Sequence, residues 1–224
     1  MIKNNLFGIL NKLGGYRIMK IKRFIGGELQ SNGYLIYKDG CKDCYLIDTG
    51  YNANNFINFV KEEKLNPLGI IFTHHHYDHI TAGPKVAKEL DCKMYINERD
   101  LDRACKTLKD DQYLLESFEN NHVFKLGDEE LLCINTPGHT KGGICIYSKN
   151  SKVAFTGDTV FSEEIGITNL DDGSPEEMAN SCAEIIDKWP SDITIYPGHG
   201  DSATMKYVKE NNEEFKQALA MVKK

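Results

Sequence analysis

The sequence predicts an α/β or α+β fold. Three observations predict it. Apolar runs of strand length come first, near 20–24, 34–38 and 44–48. From residue 54 onward such runs alternate with stretches whose apolar residues repeat at helical spacing. Several of the later runs end in a tight turn that carries a His or an Asp, the layout that a shared site along one sheet edge requires.

Taken in order, Tyr34-Leu35-Ile36-Tyr37 and Tyr45-Leu46-Ile47 read as two strands of a hairpin. Cys41-Lys42-Asp43-Cys44 falls where that hairpin turns. The Cys41/Cys44 spacing is read as part of the turn, with a redox pair or half of a surface metal site as the alternative. A helix near 54–64 places Phe56, Phe59 and Val60 on one face. Leu68-Gly69-Ile70-Ile71-Phe72 is a buried strand, expected over 68–73. A helix near 84–90, a strand near 93–96 and a helix near 98–108 follow, and residues 112–118 are expected to add a helical turn or two. Strands recur near 122–125, 131–136, 142–147 and 153–156. Ser174-Pro175-Glu176-Glu177 is a helix start, with Ser as cap, Pro at the first helical position and acids in the first turn. That helix should reach about Lys188, before Pro190. A strand at 193–196 and helices near 203–210 and 212–222 end the pattern.

At 224 residues the chain has room for one large domain or two small ones. No repeat, low-complexity tract or linker divides it. The expected organisation is therefore an N-terminal extension over 1–18 and a single domain over 19–224. Residues 1–18 carry a basic start and apolar Leu6, Ile9, Leu10 and Leu13, which suit a short amphipathic helix or a disordered tail. They lack the long apolar run and cleavage site of a secretory signal. The formal net charge of -6 disfavours a nucleic-acid backbone as partner. No apolar stretch approaches the roughly 20 residues that span a bilayer. Seven cysteines, an odd number without an export signal, point to a reducing compartment, and a cytoplasmic location is expected.

The chemistry concentrates in Thr73-His74-His75-His76-Tyr77-Asp78-His79. His74, His76, Asp78 and His79 are candidate metal ligands there. Imidazole and carboxylate without thiolate suit zinc, iron or manganese. Three later segments add to the set: Thr136-Pro137-Gly138-His139-Thr140, Thr156-Gly157-Asp158-Thr159 and Tyr196-Pro197-Gly198-His199-Gly200. Of seven histidines, only His75 and His122 fall outside it. His75 is expected to be solvated or packed, and Tyr77 is a candidate for the substrate mouth.

The pattern His74-x-His76-x-Asp78-His79, then His139, Asp158 and His199, resembles the metallo-β-lactamase superfamily of hydrolases over roughly residues 19 to 212. The resemblance implies a four-layer αββα sandwich. It also implies two divalent metal ions, zinc foremost, with iron or manganese as alternatives. His74, His76 and His139 would hold the first ion, and Asp78, His79 and His199 the second, with Asp158 bridging. Asp78 and Asp158 would be the catalytic carboxylates, with a hydroxide between the ions attacking a carbonyl. Asp48, in Leu46-Ile47-Asp48-Thr49-Gly50, would accept a hydrogen bond from a ligating His.

The stretch from Gly157 to Gly166 is similar to the glyoxalase II-like branch, the hydroxyacylglutathione hydrolases and their relatives. That branch often continues Gly-Arg-x-Asp, where this chain reads Gly166-Ile167-Thr168-Asn169. Only about 24 residues follow His199, too few for the helical region with which full-length members help bind glutathione. The expected activity is hydrolysis of a small-molecule thioester. A lactonase for small cyclic esters and an iron-dependent persulfide dioxygenase are the alternatives.

Overall fold

The computed structural model describes residues 19–222, so the expectation for residues 1–18 lies outside the described residues. Six strands form the first sheet: β1 (Met19–Gly26), β2 (Ser31–Lys38), β3 (Asp43–Ile47), β4 (Asn66–Ile71), β5 (Met94–Asn97) and β6 (Leu115–Phe118). They lie in sequence order. β1, β2 and β3 pair antiparallel, and β3 through β6 pair parallel. The second sheet runs β12-β11-β10-β9-β8-β7. Its strands are β7 (His122–Leu126), β8 (Glu129–Asn135), β9 (Ile144–Ser148), β10 (Val153–Gly157), β11 (Thr194–Pro197) and β12 (Ala203–Thr204). All its pairings are antiparallel except β10 with β11.

Period-two alternation decides the layering. Leu35, Leu46 and Ile70 point to one face of the first sheet, into a cluster with Phe56, Val60, Val86 and Met94. This cluster is covered by α1 (Ala53–Glu63), α3 (Gly83–Leu90) and α4 (Leu101–Leu108), which flank the one-turn α2 (Tyr77–Ile80) in the chain. Their neighbours Ile36, Tyr45, Ile47 and Ile71 point the other way and meet Phe124, Leu131, Ile146 and Phe155 of the second sheet. The far face of the second sheet offers Cys145, Ala154 and Ile195. These pack on α5 (Pro175–Glu184), α6 (Met205–Asn211) and α7 (Glu213–Val222) through Met178, Cys182, Val208 and Phe215. The result is helices, sheet, sheet, helices, the αββα sandwich. Strands buried on both faces read as continuous apolar runs, which is why those of the first sheet were conspicuous.

Some elements depart from expectation. Residues 112–118 are helical only as far as Leu114. A 3₁₀ stretch, Lys109–Leu114, leads into β6, which pairs in parallel with β5. Leu115 packs on the helix side of the sheet and Phe118 in the inter-sheet core. The sheet edge overrides a locally helical spacing. The helix expected over 98–108 is broken, with a 3₁₀ turn at Glu98–Asp100 before α4. α5 ends at Glu184, and a separate 3₁₀ turn spans Ile186–Lys188. Its start is as read, with the Ser174 hydroxyl accepting from the Glu177 amide, a cap worth about 1 kcal/mol. Ala203–Thr204 belongs to β12, and Thr204 caps α6 by accepting from the Tyr207 amide. Gly142 and Gly143 belong to the turn after β8 rather than to β9. The turn between β2 and β3 holds Cys41, half-buried, while Cys44 is buried beneath the sheet.

Candidate metal centre

Strands that run the same way end at the same edge. β3 and β4 are parallel, and their C-terminal ends lead into Asp48 and into the loop Phe72–His79. β8 and β10 both pair antiparallel with β9, so they share a direction, and β11 runs with β10. Their ends lead into His139, Asp158 and His199. All the predicted donors therefore arrive at one end of the sandwich.

They arrive in two groups. His74, His76 and His139 bring three ring nitrogens into one small space, and Asp78, His79 and His199 bring a carboxylate oxygen and two ring nitrogens into another. His76 Nδ1 lies 2.9 Å from His139 Nε2. His79 Nε2 lies 3.3 Å from His199 Nε2 and 3.4 Å from Asp78 Oδ2. Asp158 stands between the groups. Its Oδ2 is 4.0 Å from His74 Nε2, 3.5 Å from His139 Nε2 and 3.4 Å from His199 Nε2. Its Oδ1 is 3.5 Å from His79 Nε2. His74 Nε2 and Asp158 Oδ1 are buried without any hydrogen-bond partner. Orphaned buried polar atoms are costly. A cation among these donors would satisfy both atoms, so the residues present fit a bound metal.

Four of the five rings are turned by a partner on the far nitrogen. The Asp48 carboxylate accepts from the Thr73 amide at 2.8 Å and the Thr73 hydroxyl at 2.7 Å, and lies 3.0 Å from His79 Nδ1. The Thr73 hydroxyl in turn lies 3.0 Å from His74 Nδ1. His139 Nδ1 donates to the Ile167 carbonyl at 2.8 Å, and His199 Nδ1 donates to the Leu29 carbonyl at 3.0 Å. A carbonyl can only accept, so these last two rings carry their proton on Nδ1 and aim Nε2 at the site.

The two groups differ in charge. Burial and the surrounding imidazoles hold His74 well below the usual histidine range and push His76 down to about 4. Burial also opposes charge on His79, but Asp158 and Asp48 override it and hold that ring well above the usual range. At His199 burial is likewise outweighed, by hydrogen bonds donated to Asp158 and Asp78, and the ring is pushed up to about 9. Burial would raise both carboxylates. His199 and His79 more than offset this at Asp78, which is held far below the ordinary carboxylate range. His79 and His199 likewise lower Asp158.

Glycine makes room where the groups meet. A Cβ on Gly198 would lie 2.1 Å from Asp158 Oδ1 and 2.7 Å from His79 Cε1. Gly157 has φ +47°, and a Cβ there would meet Thr73 at 2.5 Å.

Two features of the site were not read from the sequence. Asp100, fully buried, accepts from the His75 amide at 3.0 Å, the Thr140 hydroxyl at 2.8 Å and the Gly142 amide at 2.6 Å. It ties the loop of the first sheet to the His139 turn. Nothing in Asn97-Glu98-Arg99-Asp100 marks it, because its partners are 25 to 42 positions distant. His75 is packed rather than solvated, with Nε2 3.1 Å from Asp172 Oδ2. Asp172 lies in the segment after Asp158, so this contact pins that segment across the site. Tyr77 is exposed at the mouth of the adjoining cavity. His122 is remote, packed on Phe118 and Phe124.

Residues 26–199 match the model of the metallo-beta-lactamase superfamily. The chain belongs to that superfamily. It is 27% identical over 205 residues to a probable metallo-hydrolase, YqgX, of Bacillus subtilis (strain 168), covering 87% of this chain and 96% of that one. It is 28% identical over 169 residues to PksB of the same strain, described as a probable polyketide biosynthesis zinc-dependent hydrolase, covering 74% and 71%. Among solved structures, the BLEG-1 B3 metallo-beta-lactamase superposes with a TM-score of 0.77 at 26% identity, covering 86% of this chain and 98% of that one. No helix among the described residues is long and apolar enough to cross a membrane.

Proposed function

We propose that this protein is a metal-dependent hydrolase of small-molecule thioesters, similar to the glyoxalase II-like branch. The observation that carries the reading is the pair of donor triads with Asp158 between them. His74, His76 and His139 would hold one divalent ion. Asp78, His79 and His199 would hold the second, and Asp158 would touch both. Zinc is the metal we expect, since neutral imidazoles with carboxylates suit it. We read residues 19–224 as one catalytic domain, because the first triad draws donors from both sheets and so does the second.

Bound there, the ions would supply Lewis acidity toward a carbonyl and a water acidic enough to ionise near neutrality. The chain's own residues do the positioning. Asp48 and the Ile167 and Leu29 carbonyls fix the rings, and Asp100 fixes the loops that carry them. Asp78 and Asp158 both border the cavity, and as ligands of a divalent ion both would be carboxylates, able to accept a proton but not to donate one. A reaction without a strong acid at hand needs a leaving group that departs unaided. A thiolate does so, with a thiol pKa near 8.5. In the overall step the water oxygen bonds to the acyl carbon and the C–S bond breaks with its electron pair on sulfur. One proton stays with the acid and the other ends on the thiol.

The test is thiol release by the zinc-loaded protein from two substrates, a lactoyl-glutathione thioester and the same acyl group on N-acetylcysteamine. Release that disappears on chelation and returns with metal supports the reading. A metal-replete sample that cleaves neither thioester overturns it. Lactone opening by that sample would then move the assignment to a lactonase, and oxygen uptake with a persulfide by the iron form would move it to a dioxygenase.

A further inference from the structure

The cavity beside the donors measures about 560 Å³, within the range that takes a small organic ligand. Its mouth is apolar. Leu29, Tyr77, Ile167 and Leu170 line it and remain 52%, 53%, 58% and 42% exposed. Single exposed apolar residues mean little, but four around one cavity mark a surface that a ligand covers. Phe161 adds an aromatic wall, with its ring 6.1 Å from that of His199.

The charges lining the same cavity have one sign. Apart from the donors, Glu163 and Glu164 are its only charged side chains, and among the described residues no Lys or Arg lines it. Ile167 is the telling position. Its carbonyl holds His139, so its place beside the donors is fixed, and its side chain presents hydrocarbon to the cavity. A carboxylate or phosphate at this mouth meets two like charges and no cationic side chain outside the donors. An alkyl chain meets four apolar side chains that water otherwise covers.

We propose that the cavity takes a thioester whose acyl chain is apolar and uncharged and whose thiol carries no carboxylate or phosphate. This rests on the thioesterase reading and narrows it, away from glutathione as the carrier.

The experiment measures binding rather than turnover, with thioethers that cannot be hydrolysed. Butyl, hexyl and octyl groups are placed on N-acetylcysteamine and, in parallel, on glutathione. Affinity for the zinc-loaded protein is read by calorimetry. The N-acetylcysteamine series should tighten with length, by up to about fourfold per added methylene if each is fully covered. At equal length the glutathione members should bind at least about fivefold more weakly, the scale of a like-charge contact at a wet surface. Ile167→Arg should narrow that gap by strengthening the glutathione series. Leu170→Asp should flatten the length dependence. Both side chains are exposed, so both variants should fold. Glutathione conjugates that bind as tightly as their uncharged counterparts overturn the proposal. So does an affinity that ignores chain length, or no binding by any of the six compounds. Binding in the expected order without thiol release in the activity assay would support the ligand class and overturn only the thioesterase reading.

Discussion

The two donor triads share an edge of the sandwich but not an electrostatic character. His74, His76 and His139 form an all-imidazole set, backed by a threonine hydroxyl and a backbone carbonyl. Two of its rings are held below the usual histidine range. Asp78, His79 and His199 include a carboxylate, and Asp48 stands behind His79. Two of those rings are held above it. The difference teaches that the carboxylates around a ring, Asp158 and Asp78 within the site and Asp48 behind it, decide whether the ring is held neutral or charged. It also means that the two half-sites can be separated by experiment.

The largest effect should come from Asp158, which faces both triads. Asp158→Ala should lower thioester turnover by more than about 100-fold, beyond what loss of an outer partner costs. Both metal equivalents should be lost on dialysis, as read by elemental analysis. Retention of both would break the idea that this carboxylate joins the triads.

Gly198→Ala keeps every donor but forces a methyl group against Asp158 and His79. A donor displaced by about 1 Å can cost up to about 100-fold in rate, so we expect a loss of about 10- to 100-fold. A variant as active as the parent would show that the junction has room that the geometry denies.

Asp48→Asn acts directly on one triad, at His79, and reaches His74 of the other only through the Thr73 hydroxyl. Asp48 has φ +47°, a backbone region that asparagine tolerates, so the substitution tests charge rather than backbone strain. Affinity for one metal equivalent should fall by about 10- to 100-fold while the other weakens less. Equal weakening of both, measured by chelator competition, would erase the distinction between the triads. The smallest effect belongs to a residue far from either. Cys41→Ser should leave turnover within about twofold, as surface substitutions do. A large loss would revive a redox role for the Cys41/Cys44 pair.

Much of this site was legible because its donors sit in short motifs at strand ends. A run such as Leu68–Phe72 announces a strand, and the histidines that follow it announce the edge. Asp48 also follows a strand, but its role beside a ligating histidine was an implication of the family resemblance. Asp100 was not legible, since a lone acid at a helix start reads as a cap and its three partners come from other loops. The His75–Asp172 contact was equally invisible, because the two residues are 97 positions apart. β6 was misread because three apolar residues suited a helix until the neighbouring strand offered a ladder.

By itself the sequence determined which side chains could bind metal, which runs could be strands and where most helices begin. These depend on residue type and on periods of two or 3.6, which are local. The family resemblance already implied how seven donors divide into two triads around Asp158; only the tertiary structure brought them within reach of one another and decided which buried acid ties their loops together. It alone brought Leu29, Tyr77, Ile167 and Leu170 to one mouth with no cation among them. Those facts depend on distances between residues far apart in the chain. Such distances exist only once two sheets have packed face to face and their strand ends have met.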